Sequence, residues 1–299
     1  MDILVFGHKN PDTDSICSSI SLTYLKNKLG YNATACALGE IRKEAQFALD
    51  YFKVKAPKII NGVEADDNVV IVDHNEYGQS ADGLEKANLL EIIDHHKLGG
   101  IATSLPISVS IMTVGCTCTI IYNMYKENNV EIPYKIAGLL LSAILSDTLL
   151  FKSPTTTELD KIAGEELSKI AKIDMEKYAM DMFKAGTSLD GLSVEEIVNM
   201  DFKEFDMSGK KVGIGQVFTM DIDAVFAKKD EFLGYINSTN YDMLVLAITD
   251  IIKEGSYLIY KGEDNVISNA FDVNANQGVF AEGVVSRKKQ LVPNLTDAI

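Results

Sequence analysis

Residues 7–15 read GHKNPDTDS and place one imidazole and two carboxylates in the turn that follows the apolar run ILVF. Asn-Pro-Asp is ordinary turn chemistry, and Asp14 or Ser15 could cap the helix that is predicted to follow. A cap needs only one carboxylate, however, whereas this turn holds His8, Asp12 and Asp14. The stretch therefore leaves two interpretations open: a plain strand-to-helix turn, or a metal or phosphate site.

Strand and helix patterns alternate around this turn, up to about residue 112. The strand-like runs are short and apolar, and they are DILVFG, NATACAL, VVIVD, LLEIID and ISVSIM. Helical patterns lie between the first of these runs and continue from Gly115 to about Lys184. Apolar strands that alternate with helices predict an α/β domain, built on a parallel sheet with helices on both faces.

The periodicity breaks at residues 185–193, AGTSLDGLS, which have no apolar stripe. Beyond them the runs KKVGIGQVFTM, DMLVLAITDII and SYLIYKG read as strands, with one helix predicted in IDAVFAKKDEFLGYI. We therefore predict a first domain over residues 1–186, a flexible linker over 187–192, and a smaller α/β domain with a mixed sheet over 193–299. The linker is expected to act as a hinge.

The composition excludes several classes of protein. Of the 299 residues, 46% are hydrophobic, which is enough for two well-filled cores. The net charge of −15 argues against generic binding to nucleic acid, although a small anion could bind where cations are concentrated. The longest apolar stretch, IAGLLLSAILSDTLLF, is interrupted by Asp147, and the sequence starts with a strand. We therefore expect no membrane span, no signal peptide and a cytoplasmic protein.

Histidine is the most informative residue, because the chain has only four and each follows a predicted strand beside an aspartate. His8 follows ILVFG, His74 follows VVIVD, and His95 and His96 close LLEIIDHHK. The carboxyl ends of parallel strands meet at one edge of a sheet, so these loops should converge. Asp147 joins the set, because a carboxylate in an apolar helix is costly unless it is paired or bound to a metal.

Imidazole and carboxylate ligands favour Mn²⁺, Co²⁺, Fe²⁺ or Zn²⁺ over Ca²⁺, and the excess of oxygen favours Mn²⁺ among them. Thiolate ligands are not expected. The cysteines lack the C-x-x-C spacing of a zinc site and are expected to be small buried residues: Cys17, Cys36, Cys116 and Cys118. The candidate ligands are too many for one ion. We therefore predict a two-metal centre with a shared aspartate and a bridging hydroxide as the nucleophile.

Six motifs carry a resemblance to a known family, and they are GHKNPDTDS, VDHNE, DHH, LSDTLLFKSPT, DFKEF and SRKKQ. Together they resemble the manganese-dependent family II inorganic pyrophosphatases of the DHH phosphoesterase superfamily, over essentially the whole chain. The first four are shared in part with DHH phosphoesterases generally, whereas SRKKQ is specific to the pyrophosphatase branch. Family members with regulatory CBS modules carry them before VDHNE, where this chain has no room for an insert.

The resemblance implies hydrolysis of pyrophosphate to two phosphates, by a metal-bridging hydroxide at a centre between a DHH catalytic domain and a DHHA2-type substrate-binding domain. One ion would be held by His8, Asp12 and Asp73, and the other by Asp14, Asp73, His95 and Asp147. The substrate would be bound by His96, Lys203, Arg287 and Lys288, with Lys289 beside them. Asp94 and His74 would orient the ligand imidazoles.

The same resemblance implies two Mn²⁺ ions per subunit, with Co²⁺ as a substitute, Mg²⁺ brought in with the substrate, and a homodimer formed through the first domain. Pyrophosphate is the expected partner, with no nucleic acid and no membrane. The alternative is a DHH phosphoesterase that acts on nucleotides or short oligonucleotides. Such relatives carry a glycine-rich motif with a histidine in the second domain, whereas no histidine follows His96 here. SRKKQ could otherwise be a solvated basic surface loop.

Overall fold

The computed structural model describes residues 2–299, and the chain divides into two compact units, Met1–Gly186 and Thr187–Ile299. We call these units the first and the second domain. Residues 187–193 join the last helix of the first domain to the first helix of the second. That they act as a hinge stays a prediction. None of the helices in residues 2–299 combines the length and the apolar character that crossing a membrane requires.

The first domain is built on six strands: β1 (Asp2–Lys9), β2 (Asn32–Leu38), β3 (Lys58–Ile59), β4 (Asn68–Val72), β5 (Asn88–Asp94) and β6 (Ser108–Ile111). They form one sheet in the order β3-β2-β1-β4-β5-β6, and every neighbouring pair is parallel. The predicted α/β class with a parallel sheet is confirmed. The sequence patterns did not predict β3, because two exposed residues leave no alternation to detect.

Within residues 2–186 the first domain has six α-helices and a short 3-10 helix, Tyr77–Gln79. The α-helices are α1 (Thr13–Lys28), α2 (Lys43–Tyr51), α3 (Thr117–Glu127), α4 (Tyr134–Asp147), α5 (Glu158–Ala171) and α6 (Met175–Gly186). They form one large core with strand residues such as Val5, Val72 and Ile93. A second, smaller core includes Phe6 and Ile71 of the strands, and within residues 2–299 it contains no residue of an α-helix. The fold thus differs from the prediction of helices on both faces, because short turn-rich segments pack into this smaller core.

The turn before α1 differs from its prediction in one respect. Asp12, and not Asp14 or Ser15, caps the helix, since its Oδ1 accepts a hydrogen bond from the backbone N–H of Ser15 at 3.0 Å. Asp12 has the extended backbone that a cap requires, whereas Asp14 already lies within the first helical turn. The carboxylate of Asp14 is therefore buried and faces other elements of the domain.

Two smaller expectations about the first domain are confirmed. Between β2 and β4 the described chain holds only α2 and β3, so there is no regulatory insert before Asp73. All four cysteines are free and buried, as expected of small apolar residues.

The second domain contains five strands: β7 (Phe202–Met207), β8 (Lys210–Thr219), β9 (Met243–Asp250), β10 (Gly255–Lys261) and β11 (Val279–Glu282). Their order in the sheet is β11-β10-β9-β8-β7. Only β8 and β9 are parallel, and the other pairs are antiparallel. The predicted mixed sheet is confirmed, although β7 and β11 were not predicted.

Five helices accompany this sheet: α7 (Val194–Asn199), α8 (Ile222–Phe226), α9 (Lys229–Ser238), α10 (Asp264–Phe271) and α11 (Val292–Ala298). A π-helical turn, Arg287–Leu291, precedes α11. The single helix predicted in IDAVFAKKDEFLGYI is wrong, because the chain breaks into α8 and α9 near Lys228. The break lets Val225 of α8 and Phe232 of α9 enter the same core cluster.

We expect Gly138→Ala to destabilise the first domain, because an added Cβ in α4 would lie 2.3 Å from the buried ring of Phe52. Forcing a methyl group into a filled core costs roughly 1–3 kcal/mol. Gly234→Ala in α9 is the control, since nothing lies within 4 Å of its added Cβ. Alanine there should stabilise the second domain by about 0.4–1 kcal/mol. Calorimetric unfolding measures both changes, and an unchanged midpoint for Gly138→Ala would contradict the expectation.

Candidate metal centre

Three adjacent strands bring the predicted ligands to one edge of the first sheet. His8 lies at the end of β1, Asp73 directly follows β4, and His95 directly follows β5. Strands β1, β4 and β5 are neighbours in the sheet, so these side chains meet at the carboxyl edge, where parallel sheets bind ligands. The expected convergence of the histidine loops is therefore observed.

Asp73 lies at the middle of the cluster and is almost fully buried. Its backbone has a left-handed φ of 60°, and its N–H donates to the carbonyl oxygen of Ile93 at 2.9 Å. Asp73 Oδ2 lies 3.4 Å from His8 Nε2, and Asp73 Oδ1 lies 3.4 Å from His95 Nε2. The two oxygens of one carboxylate thus face two different imidazoles.

Two groups of candidate ligand atoms surround this carboxylate, each with its members within 4.8 Å of one another. The first group is His8, Asp12 and Asp73, and the second is Asp14, His95 and Asp147. A third combination, Asp73, His95 and His96, shares one residue with each of these groups, and a fourth, Asp14, Cys116 and Cys118, shares Asp14 with the second. The structure therefore brings all six predicted ligands to one edge of the sheet, with His8, Asp12 and Asp73 in one group and Asp14, His95 and Asp147 in the other. Their division between two metal ions stays a prediction.

Backbone carbonyl groups contact the imidazoles of both histidines that are predicted to bind metal. His8 Nδ1 lies 2.8 Å from the carbonyl oxygen of Lys9, and His95 Nδ1 lies 3.2 Å from that of Val114. A ring that donates from Nδ1 keeps Nε2 free of its proton and able to bind a metal. In both residues Nε2 is the atom that faces Asp73.

The orienting roles expected of Asp94 and His74 take a different form, because the ring Nδ1 atoms of His8 and His95 are paired with backbone carbonyl groups. Asp94 Oδ1 accepts from the ring of His96 at 2.8 Å and from the backbone N–H of His95 at 2.8 Å, so it holds a predicted substrate-binding side chain and the backbone of a predicted ligand. His74 Nδ1 is hydrogen-bonded to the carbonyl oxygen of Val72, and its buried Nε2 has no hydrogen-bond partner. His96 itself is half exposed at the same edge, and its bond to Asp94 raises its pKa.

Thr117 is a contact that the sequence patterns did not reveal. Its backbone N–H donates to Asp14 Oδ2 at 2.7 Å, and its hydroxyl donates to Asp73 Oδ1 at 3.2 Å. One residue at the start of α3 therefore contacts two predicted ligands. A threonine at the beginning of a helix is so common that no sequence signal could have singled it out.

Asp147 is the last residue of α4, whereas the prediction placed it within an apolar helix. The chain turns sharply after it, because Leu149, Leu150 and Phe151 all have left-handed φ angles of 48°, 54° and 63°. Left-handed backbone costs roughly 1–2 kcal/mol per residue outside glycine. The turn is held by a bond from the N–H of Leu150 to the carbonyl oxygen of Leu145 at 2.9 Å. This reversal leaves the carboxylate of Asp147 4.0 Å from His95 Nε2.

The electrostatics of the cluster fit divalent cations. Burial and the charge of Asp73 raise the pKa of Asp14 to about 7, and burial together with Asp14 raises the pKa of Asp147 well above its usual range. Burial would raise the pKa of Asp73 too, but His8 and His95 hold it below its usual range. Asp73 Oδ2 is buried without a hydrogen bond. Buried carboxylates that repel one another need a cation, and this donor set of imidazoles and carboxylates suits Mn²⁺.

The remaining predicted site residues lie in the second domain. Lys203 lies on β7, opposite Ile214 of β8, and is exposed. Arg287 and Lys288 lie in the π-helical turn before α11. The guanidinium of Arg287 donates to the carbonyl oxygen of Asp201 at 2.5 Å and to its Oδ1 at 2.6 Å. Arg287 is therefore anchored at the start of the strand that carries Lys203.

A buried glutamine fixes the backbone of this basic turn. Gln216 Oε1 accepts from the N–H of Arg287 at 3.1 Å, and its Nε2 donates to the carbonyl oxygen of Val285 at 3.0 Å. The backbone of the basic turn is therefore fixed to the sheet, and the role of its side chains stays a prediction.

Two protein-family models match the chain and identify its class. The model of the DHH family, N-terminal domain, matches residues 2–144, and the model of the DHHA2 domain matches residues 180–298. The chain is thus a two-domain DHH protein with a histidine and aspartate centre in its first domain.

Close relatives narrow the class. A Clostridium acetobutylicum protein named "Probable manganese-dependent inorganic pyrophosphatase" is 51% identical, over 99% of this chain and 98% of that protein. The manganese-dependent inorganic pyrophosphatase of Bacillus subtilis is 47% identical over the same shares. A crystal structure of a candidate family II inorganic pyrophosphatase from Methanococcus jannaschii is 44% identical, covers 99% of both chains and has a TM-score of 0.64. The chain belongs to the family of manganese-dependent inorganic pyrophosphatases.

We expect Mn²⁺ affinity to rise steeply with pH. Burial alone would lower the pKa values of His8 and His95, but neighbouring carboxylates raise them to about 11 and about 9 in the metal-free chain. Both rings are therefore protonated at pH 7 and must lose a proton to bind a metal. Each displaced proton should steepen the rise by about tenfold per pH unit. Mn²⁺ titrations followed by electron paramagnetic resonance between pH 6 and 8.5 measure this, and a flat profile would contradict it.

Proposed function

We propose that this protein hydrolyses inorganic pyrophosphate to two phosphates at a centre of two divalent metal ions. The observation that carries the proposal is the carboxylate of Asp73, whose two oxygens face two separate ligand sets, His8 with Asp12 and His95 with its neighbours. A carboxylate placed in this way can bridge two neighbouring ions. We infer that the substrate is pyrophosphate because the chain belongs to the family of manganese-dependent inorganic pyrophosphatases.

Each predicted ligand has a defined part in this proposal. His8, Asp12 and Asp73 would hold one Mn²⁺ ion, and Asp14, Asp73, His95 and Asp147 would hold the other. Bound there, the ions would lower the pKa of water to supply a nucleophile and would neutralise phosphate oxygens. Co²⁺ accepts the same ligands, and Mg²⁺ would enter with the substrate, because it prefers phosphate oxygens and water.

The substrate's charge explains the need for further cations. Four aspartates and two divalent ions cancel to about zero, so the metal centre alone attracts a polyanion weakly. We assign the binding of the phosphate groups to Lys203, Arg287 and Lys288 of the second domain, with Lys289 beside them, and to His96 of the first. His96 suits this task, because Asp94 favours its protonated form and it remains half exposed.

A phosphoesterase that acts on nucleotides or short oligonucleotides is the second candidate function. The two metal sets would serve that reaction equally well, since both reactions attack phosphorus. The second domain discriminates between them, because it offers a basic turn fixed by Gln216 and contains no histidine. Such a turn suits a compact anion better than a nucleobase, so we favour pyrophosphate.

The assembly and the compartment are further parts of the proposal. We propose a homodimer formed through the first domain, where β6 is the edge strand of the sheet. Large apolar side chains on and around this strand are exposed, namely Leu98, Leu105, Val109 and Met112. An open strand edge with apolar neighbours invites pairing with a second copy. We propose the cytoplasm as the compartment, which suits four free cysteines.

A substrate comparison after removal of metal tests the proposed activity. The protein dialysed against a chelator should regain hydrolysis of pyrophosphate with Mn²⁺ or Co²⁺ far better than with Mg²⁺ alone, because imidazole ligands favour transition metals. Release of phosphate from pyrophosphate and cleavage of a dinucleotide should be assayed side by side. Faster cleavage of the dinucleotide would establish the second candidate, and equal rescue by Mg²⁺ alone would argue against the ligand sets.

Substitution of a proposed metal ligand and of a proposed phosphate-binding residue should change different quantities. We expect Lys288→Ala to leave Mn²⁺ content unchanged and to weaken pyrophosphate binding by roughly 2 kcal/mol or more, through loss of a charge-assisted contact. His8→Ala should lower Mn²⁺ affinity, and high Mn²⁺ should restore part of its activity.

Lys210→Ala provides the control for Lys288→Ala. Lys210 is another lysine of the second domain and is paired with Glu263 at 3.4 Å, so its loss should change neither quantity. Metal analysis and pyrophosphate titration decide the outcome. Normal pyrophosphate affinity in Lys288→Ala would contradict the proposed binding role and indicate that SRKKQ is a solvated surface loop.

A further inference from the structure

Residues 114–119, VGCTCT, comprise the end of the connection from β6 and the first turn of α3, and they contact three of the proposed ligands. Their first carbonyl oxygen lies 3.2 Å from His95 Nδ1. Two of their backbone N–H groups donate to Asp14, at 2.7 and 3.2 Å, and the Thr117 hydroxyl donates to Asp73 at 3.2 Å. The orientation of three ligands therefore depends on one six-residue segment.

One buried carboxylate fixes this segment. Asp160 of α5 is fully buried, and its Oδ2 accepts from the N–H of Gly115 at 2.8 Å while its Oδ1 accepts from the hydroxyl of Thr119 at 2.6 Å. Oδ2 also accepts from the N–H and the hydroxyl of Thr157, both at 2.7 Å. A carboxylate without water needs such a set of donors. Two of the four come from the segment and two from the start of α5.

The packing around Gly115 extends this arrangement to a fourth ligand. A Cβ at Gly115 would lie 2.7 Å from Thr148 Cγ2 and 2.9 Å from Asp160 Oδ2, so the backbone approaches both side chains closely. Thr148 directly follows Asp147 in the chain. Asp160 and the residue next to Asp147 therefore meet at the same glycine.

We propose that Asp160 is a positioning residue for metal binding, which acts through residues 114–119 and is not itself a ligand. The proposal rests on the proposed function, because it requires His95, Asp14 and Asp73 to bind metal. The partners that orient metal ligands typically change metal affinity 10–100-fold, since a misaligned ligand must be reordered when the ion binds. Asp160 does not contact the proposed ligands directly, but it is hydrogen-bonded to the segment 114–119, whose residues contact three of them.

The test replaces Asp160 and its neighbours one at a time. In Asp160→Asn the amide cannot accept all four hydrogen bonds, and we expect the dissociation constant of Mn²⁺ to rise about tenfold or more. Thr119→Val removes one donor on the segment side and should weaken Mn²⁺ binding several-fold. Thr157→Ala is the matched control: it removes a donor to the same carboxylate from the α5 side and should leave Mn²⁺ affinity within about twofold, although it weakens a helix cap.

Mn²⁺ binding should be measured on the full chain by electron paramagnetic resonance, at a temperature where circular dichroism shows each variant folded. The visible spectrum of the Co²⁺-loaded protein reports the ligand geometry independently of activity. Unchanged affinity and spectrum in Asp160→Asn would overturn the proposal, and so would an equal loss in Thr157→Ala. Should Asp160→Asn fail to fold, unchanged Mn²⁺ affinity in Thr119→Val would overturn it.

The hydrolysis of pyrophosphate by the parent chain is assayed separately. A parent that binds Mn²⁺ but does not hydrolyse pyrophosphate would refute the proposed function alone, and the variants would still decide the role of Asp160. A parent that does not bind Mn²⁺ would refute both.

Discussion

The burial of several carboxylates at one edge of a sheet is the constraint on which the first domain depends. Asp73 and Asp14 are almost fully buried, close enough that each affects the ionisation of its neighbours. Such charges are tolerated only where hydrogen bonds or cations compensate them. The protein supplies backbone N–H groups from the start of α3 to Asp14 and imidazoles to Asp73. Metal ions would complete this compensation, so that binding of metal and stability of the fold become linked.

Much of this arrangement could be predicted from the sequence because its signals are local. A strand-like run that ends in DHN or DHH predicts both a strand and the polar residues that follow it. Because ligands bind at the carboxyl edge of a parallel sheet, several such strand ends predict a single site. The structure places His8, Asp73 and His95 as that reasoning expected. The division into an α/β domain and a mixed-sheet domain follows from the same local patterns.

The rest depends on contacts between distant parts of the chain, which local patterns do not contain. Residues far apart in the sequence, Asp14 and Thr117, meet because α1 and α3 pack side by side. The rings of His8 and His95 face the backbone carbonyl groups of Lys9 and Val114, which leave no sequence signal, whereas Asp94 holds the backbone N–H of His95. Similarly, β7 was not predicted, because its burial alternates weakly along an edge of the sheet.

In the proposed role of Arg287 as a phosphate-binding residue, its ion pair with Asp201 limits how strongly the substrate is held. The guanidinium of Arg287 already has a carboxylate partner. A phosphate that binds to Arg287 would therefore replace the carboxylate of Asp201 and would not bind to an unpaired cation. The gain is then the difference between two ion pairs, which is smaller than either pair alone. An enzyme that hydrolyses pyrophosphate must also release both phosphate products. A cation that returns to its own carboxylate after each cycle would favour release of the products and so limit their inhibition.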